Sequence, residues 1–393
     1  VEGAFYVWDE DSLAEALDAE LSDEDLDELG VDRATAEGIV RDRFGIRTPN
    51  FEGGETVLTV SASVEELAES FETDEATVQQ TLQYGRVALQ SAREGRERPP
   101  RDEKVIASWN GLAISAYATG ARTLDPVLAE RAADAVEFAR DRLWDGERLA
   151  RRYVDPADLD DDAPESAGGT KGTGYLDDYA FLARGAFDLY QTTGDVAHLA
   201  FAIELAEVIL AEFYDEEAGT IFATPSDGEE LIARPQEPTD QSTPSSLGVA
   251  VSLLLDLDHF APDAGFADAA AEALATQHDR IAGRPLEHVS LALAAAKHAR
   301  GPLEITLAAD DWPDEWRATL AEQPLADAVI APRPATEAEL DEWLDELELS
   351  EAPPIWANRE ARDGEPTAYV CRDRTCSPPE SSLIEALQWT PGE

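Results

Sequence analysis

Hydrophobic positions along the chain recur with the period of an α-helix, and some of these helices are apolar on nearly every side. The helix predicted from residue 177 is the clearest case, because Phe181 and Leu189 place apolar side chains opposite its main stripe. That stripe consists of Tyr179, Leu182, Ala183, Ala186, Phe187 and Tyr190. A helix of this kind has no face suited to water, so it is expected to be buried.

Two-faced helices alternate with the apolar ones. Apolar helices are predicted to begin near residues 109, 177, 245 and 287, the first three about 68 residues apart, which is typical of a repeat architecture. Amphipathic helices are predicted at residues 74–93, 127–143, 196–214 and 263–281. Closing such hairpins into a ring would bury each apolar helix and gather the long loops at one mouth. The pattern therefore predicts a mainly α fold, an (α/α)6 six-hairpin toroid that is incomplete at its N-terminus.

The pattern changes beyond Pro302. Strands are predicted at Leu303–Ala308 and Ala326–Ala331, and helices at Asp314–Ala321 and Thr336–Leu347. Alternating strands and helices indicate a small α/β unit. The predicted domains are residues 1–301, a toroid lacking its N-terminal helices, and residues 302–393, a small α/β region.

The composition limits the partners and the habitat. The chain has 84 acidic and 30 basic residues and a formal charge of −54, which would repel nucleic acids and anionic lipid. Its 43% hydrophobic content argues against disorder, so the charge is interpreted as the solvated surface of a halophile's protein.

No apolar run approaches the roughly 18 residues of a membrane span, and a cytoplasmic protein is expected. Since the sequence starts at Val1 and has no Met, it is expected to be part of a longer protein.

Cysteine and histidine offer little chemistry. Cys371 and Cys376 are too few for a disulfide scaffold. Two reduced thiols without a function are favoured over an approach of the two cysteines across a turn. No nearby Cys or His pair completes a zinc site, so no metal and no cofactor are expected.

Two adjacent carboxylates, Asp177 and Asp178, open the apolar helix after a Gly-Thr-Gly turn. One of them would suffice to cap the helix and oppose the positive end of its dipole. The other is free to face a cavity, and the alternative of a purely structural role stays open.

Several short stretches together resemble the spermatogenesis-associated, thioredoxin-domain-containing family. They are Glu2–Trp8, Asn50–Gly53, Asp102 with Lys104, Trp109–Gly111, Leu176–Ala180, Asp240 with Pro244 and Ser245, and Ala368–Cys371 with Cys376. The resemblance implies a toroid similar to that of N-acylglucosamine and cellobiose 2-epimerases, with a thioredoxin-like domain upstream as a possible partner. No redox activity is assigned to this chain, since it lacks that domain. The family tends to continue Pro-Ser with Gly-Asn, where this chain has Ser246 and Leu247.

The mouth of such a ring would gather acids, aromatic rings and an amide. The predicted catalytic residues are Asp177, Asp178 and Asp240, and the predicted ligand-binding residues are Trp8, Asp102, Lys104, Trp109, Asn110 and Tyr179. This combination suits a small sugar-like ligand, and two carboxyls about 5 to 9 Å apart could hydrolyse a glycosidic bond. Epimerisation needs a base such as His, and of the five histidines only His288 and His298 fall on an apolar helix.

The sequence leaves two hypotheses about the function. The first is a carbohydrate-active enzyme of the six-hairpin glycosidase and 2-epimerase type, in which Asp178→Asn is expected to abolish turnover without loss of folding. The second is a non-catalytic module that binds a sugar-like ligand or a protein. For Trp109 and Tyr179 the alternative is packing in the core, and for Asp102 and Lys104 it is a structural ion pair.

Overall fold

The computed structural model describes residues 3–159, 167–228, 232–323, 325, 327–372 and 375–389, without the side chain of Asp158. The chain divides into two compact units, Val1–Asp102 and Glu103–Glu393. The predicted boundary at residues 301 and 302 lies inside the second unit, at the change from helical hairpins to a mixed sheet. Whether those two parts behave as separate domains stays a prediction.

The first unit is a small helical bundle with one two-stranded ribbon. Its elements are β1 (Val7–Trp8), α1 (Glu10–Glu20), α2 (Asp23–Leu29), α3 (Arg33–Arg43), β2 (Thr56–Val57), α4 (Val64–Ser70) and α5 (Glu75–Glu94). Side chains cap each helix start, since Asp9, Ser22, Asp32, Ser63 and Asp74 accept hydrogen bonds from first-turn amides.

Helix α5 is the central helix of the first unit. Its Val78, Leu82 and Leu89 are buried in the core that α1, α3 and α4 share. The prediction that residues 74–93 form an outer helix of the hairpin row is wrong on this point. Its amphipathic pattern is real, but a pattern does not say which neighbour covers the apolar face.

The second unit contains the hairpins and the mixed sheet. Its elements are β3 (Val105–Ile106), α6 (Ala107–Thr123), α7 (Leu128–Arg142), β4 (Ala150–Val154), β5 (Gly169–Thr173), α8 (Leu176–Thr193), α9 (Val196–Val208), β6 (Tyr214–Asp215), β7 (Thr220–Ile221), α10 (Ser246–Leu257), α11 (Phe266–Thr276), α12 (His278–Gly283), α13 (Val289–Arg300), β8 (Leu303–Ala308), α14 (Asp314–Glu322), β9 (Ala328–Arg333), α15 (Glu337–Glu346), β10 (Thr367–Arg372), β11 (Thr375–Cys376) and α16 (Leu383–Gln388). A π-helical turn, Ile209–Phe213, extends α9.

Helices α6, α8, α10 and α13 form an inner row, and α7, α9 and α11 pack outside it. The inner helices α6 and α8 run parallel, because residues near their starts meet and residues near their ends meet. At the start, Gly111 lies against the backbone of Phe181, and further along Thr192 of α8 donates a hydrogen bond to the carbonyl of Ala118. The N-terminal ends of α6 and α8 therefore face the same way, as the hairpin pattern predicts.

The mixed sheet has the strand order β11, β10, β8, β9. Strands β8 and β9 are parallel and are joined through α14, whereas β10 is antiparallel to β8. Trp316 of α14 and Leu383 of α16 are buried on one face of the sheet. On the other face, Val329 and Trp356 join the large core of the inner helices. One face of the sheet thus packs directly against the helical hairpins.

The fold class predicted from the sequence is confirmed: the chain is mainly α, with the inner and outer hairpins of an α/α toroid and a small α/β part near its C-terminus. Helices α2 and α4 and the three-stranded sheet of β3, β4 and β5 were not predicted. Of the predicted strand Ala326–Ala331, Ala326 lies outside the described residues. Among those that are described, no helix is long and apolar enough to cross a bilayer.

Candidate functional site

Asp178 joins the starts of the two central inner helices. Its carboxylate accepts hydrogen bonds from the backbone N–H of Ser108, at 3.0 Å, and of Tyr175, also at 3.0 Å. Arg151 of β4 donates a third bond at 2.7 Å, and the carboxylate itself is wholly buried. A buried carboxylate that accepts three hydrogen bonds has a structural role, because it holds its three donors in fixed positions. Here those donors lie next to the surrounding surface, so the carboxylate also fixes the geometry of that surface.

Two opposing influences set the pKa of Asp178. Burial, and after it the neighbouring charge of Asp177, raise the pKa to about 6. The hydrogen bonds from Tyr175 and Ser108 and the charge of Arg151 act in the opposite direction. At neutral pH the group is therefore ionised, but it takes up a proton more readily than an ordinary aspartate.

Asp177 is the accessible member of the pair. Its side chain is 23% exposed and lies 3.1 Å from the guanidinium of Arg151. The guanidinium also stacks on the ring of Tyr175, at 4.9 Å from the ring centre. One residue beyond Ser108, the side chain of Trp109 is 63% exposed. Carboxylate, guanidinium and aromatic surface thus meet at one end of α6 and α8.

Two other predicted residues of this region have structural contacts. The hydroxyl of Tyr179 accepts a hydrogen bond from the backbone N–H of Leu149 at 2.8 Å, and its ring is buried. The amide of Asn110 donates to the carbonyl of Ile106 at 2.8 Å, across the first turn of α6. Both side chains hold the site together, so their predicted part in binding has no support from their contacts.

The remaining ligand-binding candidates are Trp8, Asp102 and Lys104, and each is described within its own unit. Trp8 is buried in the core of the first unit, where the guanidinium of Arg96 lies 4.0 Å above its ring. Asp102 is the last residue of the first unit. Lys104 is exposed in the second unit, immediately before β3. The predicted roles of these three residues stay predictions.

Asp240 lies at the starts of α10 and α13. Its carboxylate accepts hydrogen bonds from the backbone N–H groups of Ser245 and Ser290, each at 3.0 Å, and from the hydroxyl of Ser290. Although burial raises the pKa of Asp240, these bonds outweigh it and the pKa is lowered. Nearby, the Nδ1 atom of buried His288 lies 2.8 Å from the carbonyl oxygen of Pro238. Asp240 is thus held ionised, in a role like that of Asp178.

A second charged cluster lies deeper along the inner helices. Asp256 of α10 accepts from Lys297 of α13 at 2.8 and 2.9 Å and from Arg184 of α8 at 2.7 Å. Arg184 also pairs with Asp188, which accepts a hydrogen bond from Ser115. This cluster was not predicted from the sequence. The available signal was the charged residues inside otherwise apolar helices, including one of the chain's few lysines.

The described residues contain neither a metal-binding cluster nor a free cysteine thiol. No group of three His, Cys, Asp or Glu residues suited to a metal ion occurs in the described part of the chain. Cys371 and Cys376 form a disulfide, which overturns the expectation of reduced thiols. They face each other across β10 and β11, a pairing that places their side chains within bonding reach.

The comparisons with known proteins identify distant relatives. No family model matches the chain. It is 26% identical over 400 residues to human spermatogenesis-associated protein 20, covering 98% of this chain and 49% of that protein. It is 28% identical over 283 residues to the mouse protein of that name, covering 66% of this chain and 33% of that protein. The chain therefore spans about half, or less, of the length of these relatives.

Two solved structures similar to this chain are glycoside hydrolases. One is a family 105 glycoside hydrolase of C. acetobutylicum, with a TM-score of 0.36, 10% identity, and coverage of 69% of this chain and 75% of that one. The other is an inactive variant of an α-1,6-mannanase of Salegentibacter sp. in complex with α-1,6-mannotriose, with a TM-score of 0.32, 15% identity, and coverage of 62% and 69%. Likenesses this distant carry no argument about the site. By sequence, the chain is similar to spermatogenesis-associated protein 20 of human and mouse.

Proposed function

We propose that the second unit binds a sugar-like, polyhydroxylated small molecule at the N-terminal ends of α6 and α8. The observation that carries the proposal is the partly exposed pair of Asp177 and Arg151, 3.1 Å apart, which the buried Asp178 holds in place. The exposed indole of Trp109 follows Ser108, whose amide is bonded to Asp178. The polar pair and the aromatic surface are thus positioned by the same buried carboxylate.

The chemistry of these groups suits a sugar better than an apolar ligand. The CH face of a sugar ring packs on an aromatic plane, which Trp109 and Tyr175 offer with 63% and 45% exposure. Sugar hydroxyls both donate and accept, so a carboxylate acceptor beside a guanidinium donor matches adjacent hydroxyls. In this proposal Asp177 and Arg151 contact the ligand, while Asp178 is a positioning residue.

Acid–base catalysis at the same site is the second candidate, and one observation favours it. The pKa of Asp178 is raised to about 6, with a second carboxylate beside it, as is common where acids and bases act on a substrate. Because Asp178 is wholly buried, Asp177 is the group that would reach a substrate. Asp240 is a poor general acid, since its hydrogen bonds keep it ionised. A protein-binding role with a thioredoxin-like partner also stays a proposal, with no contact that favours it.

Binding is tested by ligand-observed NMR with glucose, mannose, N-acetylglucosamine and their disaccharides. Wild type is compared with Trp109→Ala and Asp177→Asn, and Tyr84→Ala serves as the control because Tyr84 is an exposed aromatic residue of the first unit. We expect saturable binding that each site variant weakens at least tenfold, on the order of 1.4 kcal/mol, while Tyr84→Ala binds as wild type does. The proposal fails if no sugar binds, or if binding survives both site variants unchanged.

Turnover is tested separately, by mass spectrometry of the sugars that bind. Loss of product formation in Asp177→Asn, beyond what its weaker binding explains, would support catalysis. Binding without any product from the wild-type protein would leave a non-catalytic binding module.

A further inference from the structure

A cavity of about 590 Å³ lies at the opposite end of the inner helices from Asp177. It is lined by residues at or just beyond the C-terminal ends of α6 and α8, among them Arg122 and Thr193. Helix α8 has 18 residues, so roughly 27 Å separates its two ends. The cavity is therefore distinct from the site to which the proposed function is assigned.

The mixed sheet supplies the other wall. Strands β8 and β9 are parallel neighbours, and the cavity is lined by Ala309–Trp312, which follow β8, and by Pro332–Pro334, at the carboxyl end of β9. In sheets with parallel strands, the carboxyl ends of the strands are the usual place for a ligand crevice. The position and the volume both fit a small-molecule pocket.

The guanidinium groups of Arg122 and Arg317 both line this cavity. Within the described residues, the side chains of Arg122 and Arg317 donate no hydrogen bond and form no ion pair within 4 Å. Burial lowers the pKa of Arg122, which the more distant charge of Asp188 only partly opposes. In a chain with 84 acidic and 30 basic residues, two arginines in one cavity that form no ion pair with any described carboxylate indicate a site for an anion.

The rest of the lining limits what kind of anion fits. Trp312 presents an indole, with the guanidinium of Arg317 at 5.9 Å from a ring centre, and Leu124 and Leu320 add apolar surface. Asp310 and Asp311 also line the cavity, and their charge opposes a multiply charged anion such as phosphate. A single negative group on an apolar body satisfies both conditions.

We propose that this cavity is a small-molecule site for a monocarboxylate with a planar, apolar body. The carboxylate binds Arg122 and Arg317, and the body packs on Trp312. This site needs neither sugar binding nor catalysis at Asp177, so either proposal can fail alone.

Benzoate is the probe. Benzamide is its neutral counterpart, and inorganic phosphate is an anion that lacks an apolar group. Binding is measured by calorimetry for wild type, Arg122→Gln and Arg317→Gln. Arg131→Gln is the matched control, because Arg131 is an exposed arginine of α7 that does not line the cavity. Thermal unfolding of each variant checks that the fold is retained.

We expect benzoate to bind wild type with a dissociation constant of roughly 1 mM, a value ordinary for so small a ligand. Benzamide, and benzoate with either site variant, should bind at least tenfold more weakly, while Arg131→Gln should bind as wild type does. Absence of benzoate binding up to about 10 mM would overturn the proposal. So would benzoate binding that neither site variant weakens, or phosphate binding as tight as that of benzoate.

Discussion

The carboxylate of Asp178 lies 3.0 Å from the backbone nitrogen of Ser108, and this contact ties the first turn of α8 to the first turn of α6. The two residues are 70 positions apart, close to one repeat of the hairpin pattern. Two further donors, Tyr175 and Arg151, converge on the same carboxylate. The accessible groups of the candidate site, Asp177 and Arg151, are therefore placed by a residue that solvent does not reach.

Replacing Asp178 by Ala is expected to destabilise the fold by about 2 to 4 kcal/mol at pH 7.5, because it leaves three buried or half-buried donors without an acceptor. Denaturant unfolding at fixed salt measures the loss. Asp177→Ala is the control and should cost less than about 1 kcal/mol, since its ion pair is partly exposed. Equal losses in the two variants would contradict the structural role. These contacts do not support the expectation that Asp178→Asn spares folding. The NH₂ group of the asparagine is itself a donor, and it would face the donors that now bond to the carboxylate.

The loss of unfolding free energy caused by Asp178→Ala should also depend on pH. The pKa of Asp178 is raised to about 6 in the folded chain, so between its unfolded pKa and pH 6 the folded state binds a proton that the unfolded state does not. The stability contributed by this group is therefore greatest below the unfolded pKa, about 4, and falls as the pH rises through 6. We expect the difference in unfolding free energy between wild type and variant to be larger at pH 4.5 than at pH 7.5. A difference that grows towards pH 7.5 would show that the pKa is lowered instead.

Part of this site could be predicted from the sequence, and the limit has a physical cause. The apolar period predicted the buried helix α8. For the Asp177–Asp178 pair, one acid was predicted to cap the helix, and a cavity-facing or a structural role was left open for the other. Which acid takes which role depends on the position of Ser108 and Arg151, and that is a property of packing between elements. The same limit explains why α5 was assigned to the wrong neighbours.

Close approach of α6 and α8 requires glycine at position 111. A Cβ atom there would overlap the backbone of Phe181 and Leu182, which cannot move aside as a flexible side chain does. Gly111→Ala should therefore destabilise by about 1 to 3 kcal/mol or more, despite the higher helix propensity of alanine. Gly283→Ala is the control, because nothing lies within 4 Å of its Cβ position. Unfolding curves that show equal stability for the two variants would contradict the close approach.

The buried cluster around Asp256 should respond unequally to removal of its members. Asp256→Asn leaves both Lys297 and Arg184 without their shared anion, so we expect a loss of about 3 to 5 kcal/mol. Lys297→Met leaves Asp256 paired with Arg184 and should cost less, about 1 to 3 kcal/mol. The double variant should lose less than the sum of the two, because the residues interact directly. Additive losses in the cycle would indicate that Lys297 and Asp256 do not form the pair.

The bridge between Cys371 and Cys376 joins two adjacent strands, and the guanidinium of Arg359 lies 3.3 and 3.4 Å from its two sulfur atoms. A loop this short limits the entropic gain, so removing the bridge should cost about 2 kcal/mol. Reduction of wild type and the double change Cys371→Ala with Cys376→Ala should give similar losses, and reductant should not affect the double variant. Thiol titration of the unfolded protein should detect no thiol before reduction and both afterwards. Two reactive thiols before reduction would show that β10 and β11 are not bridged, and the cost of the alanine changes would then reflect packing alone.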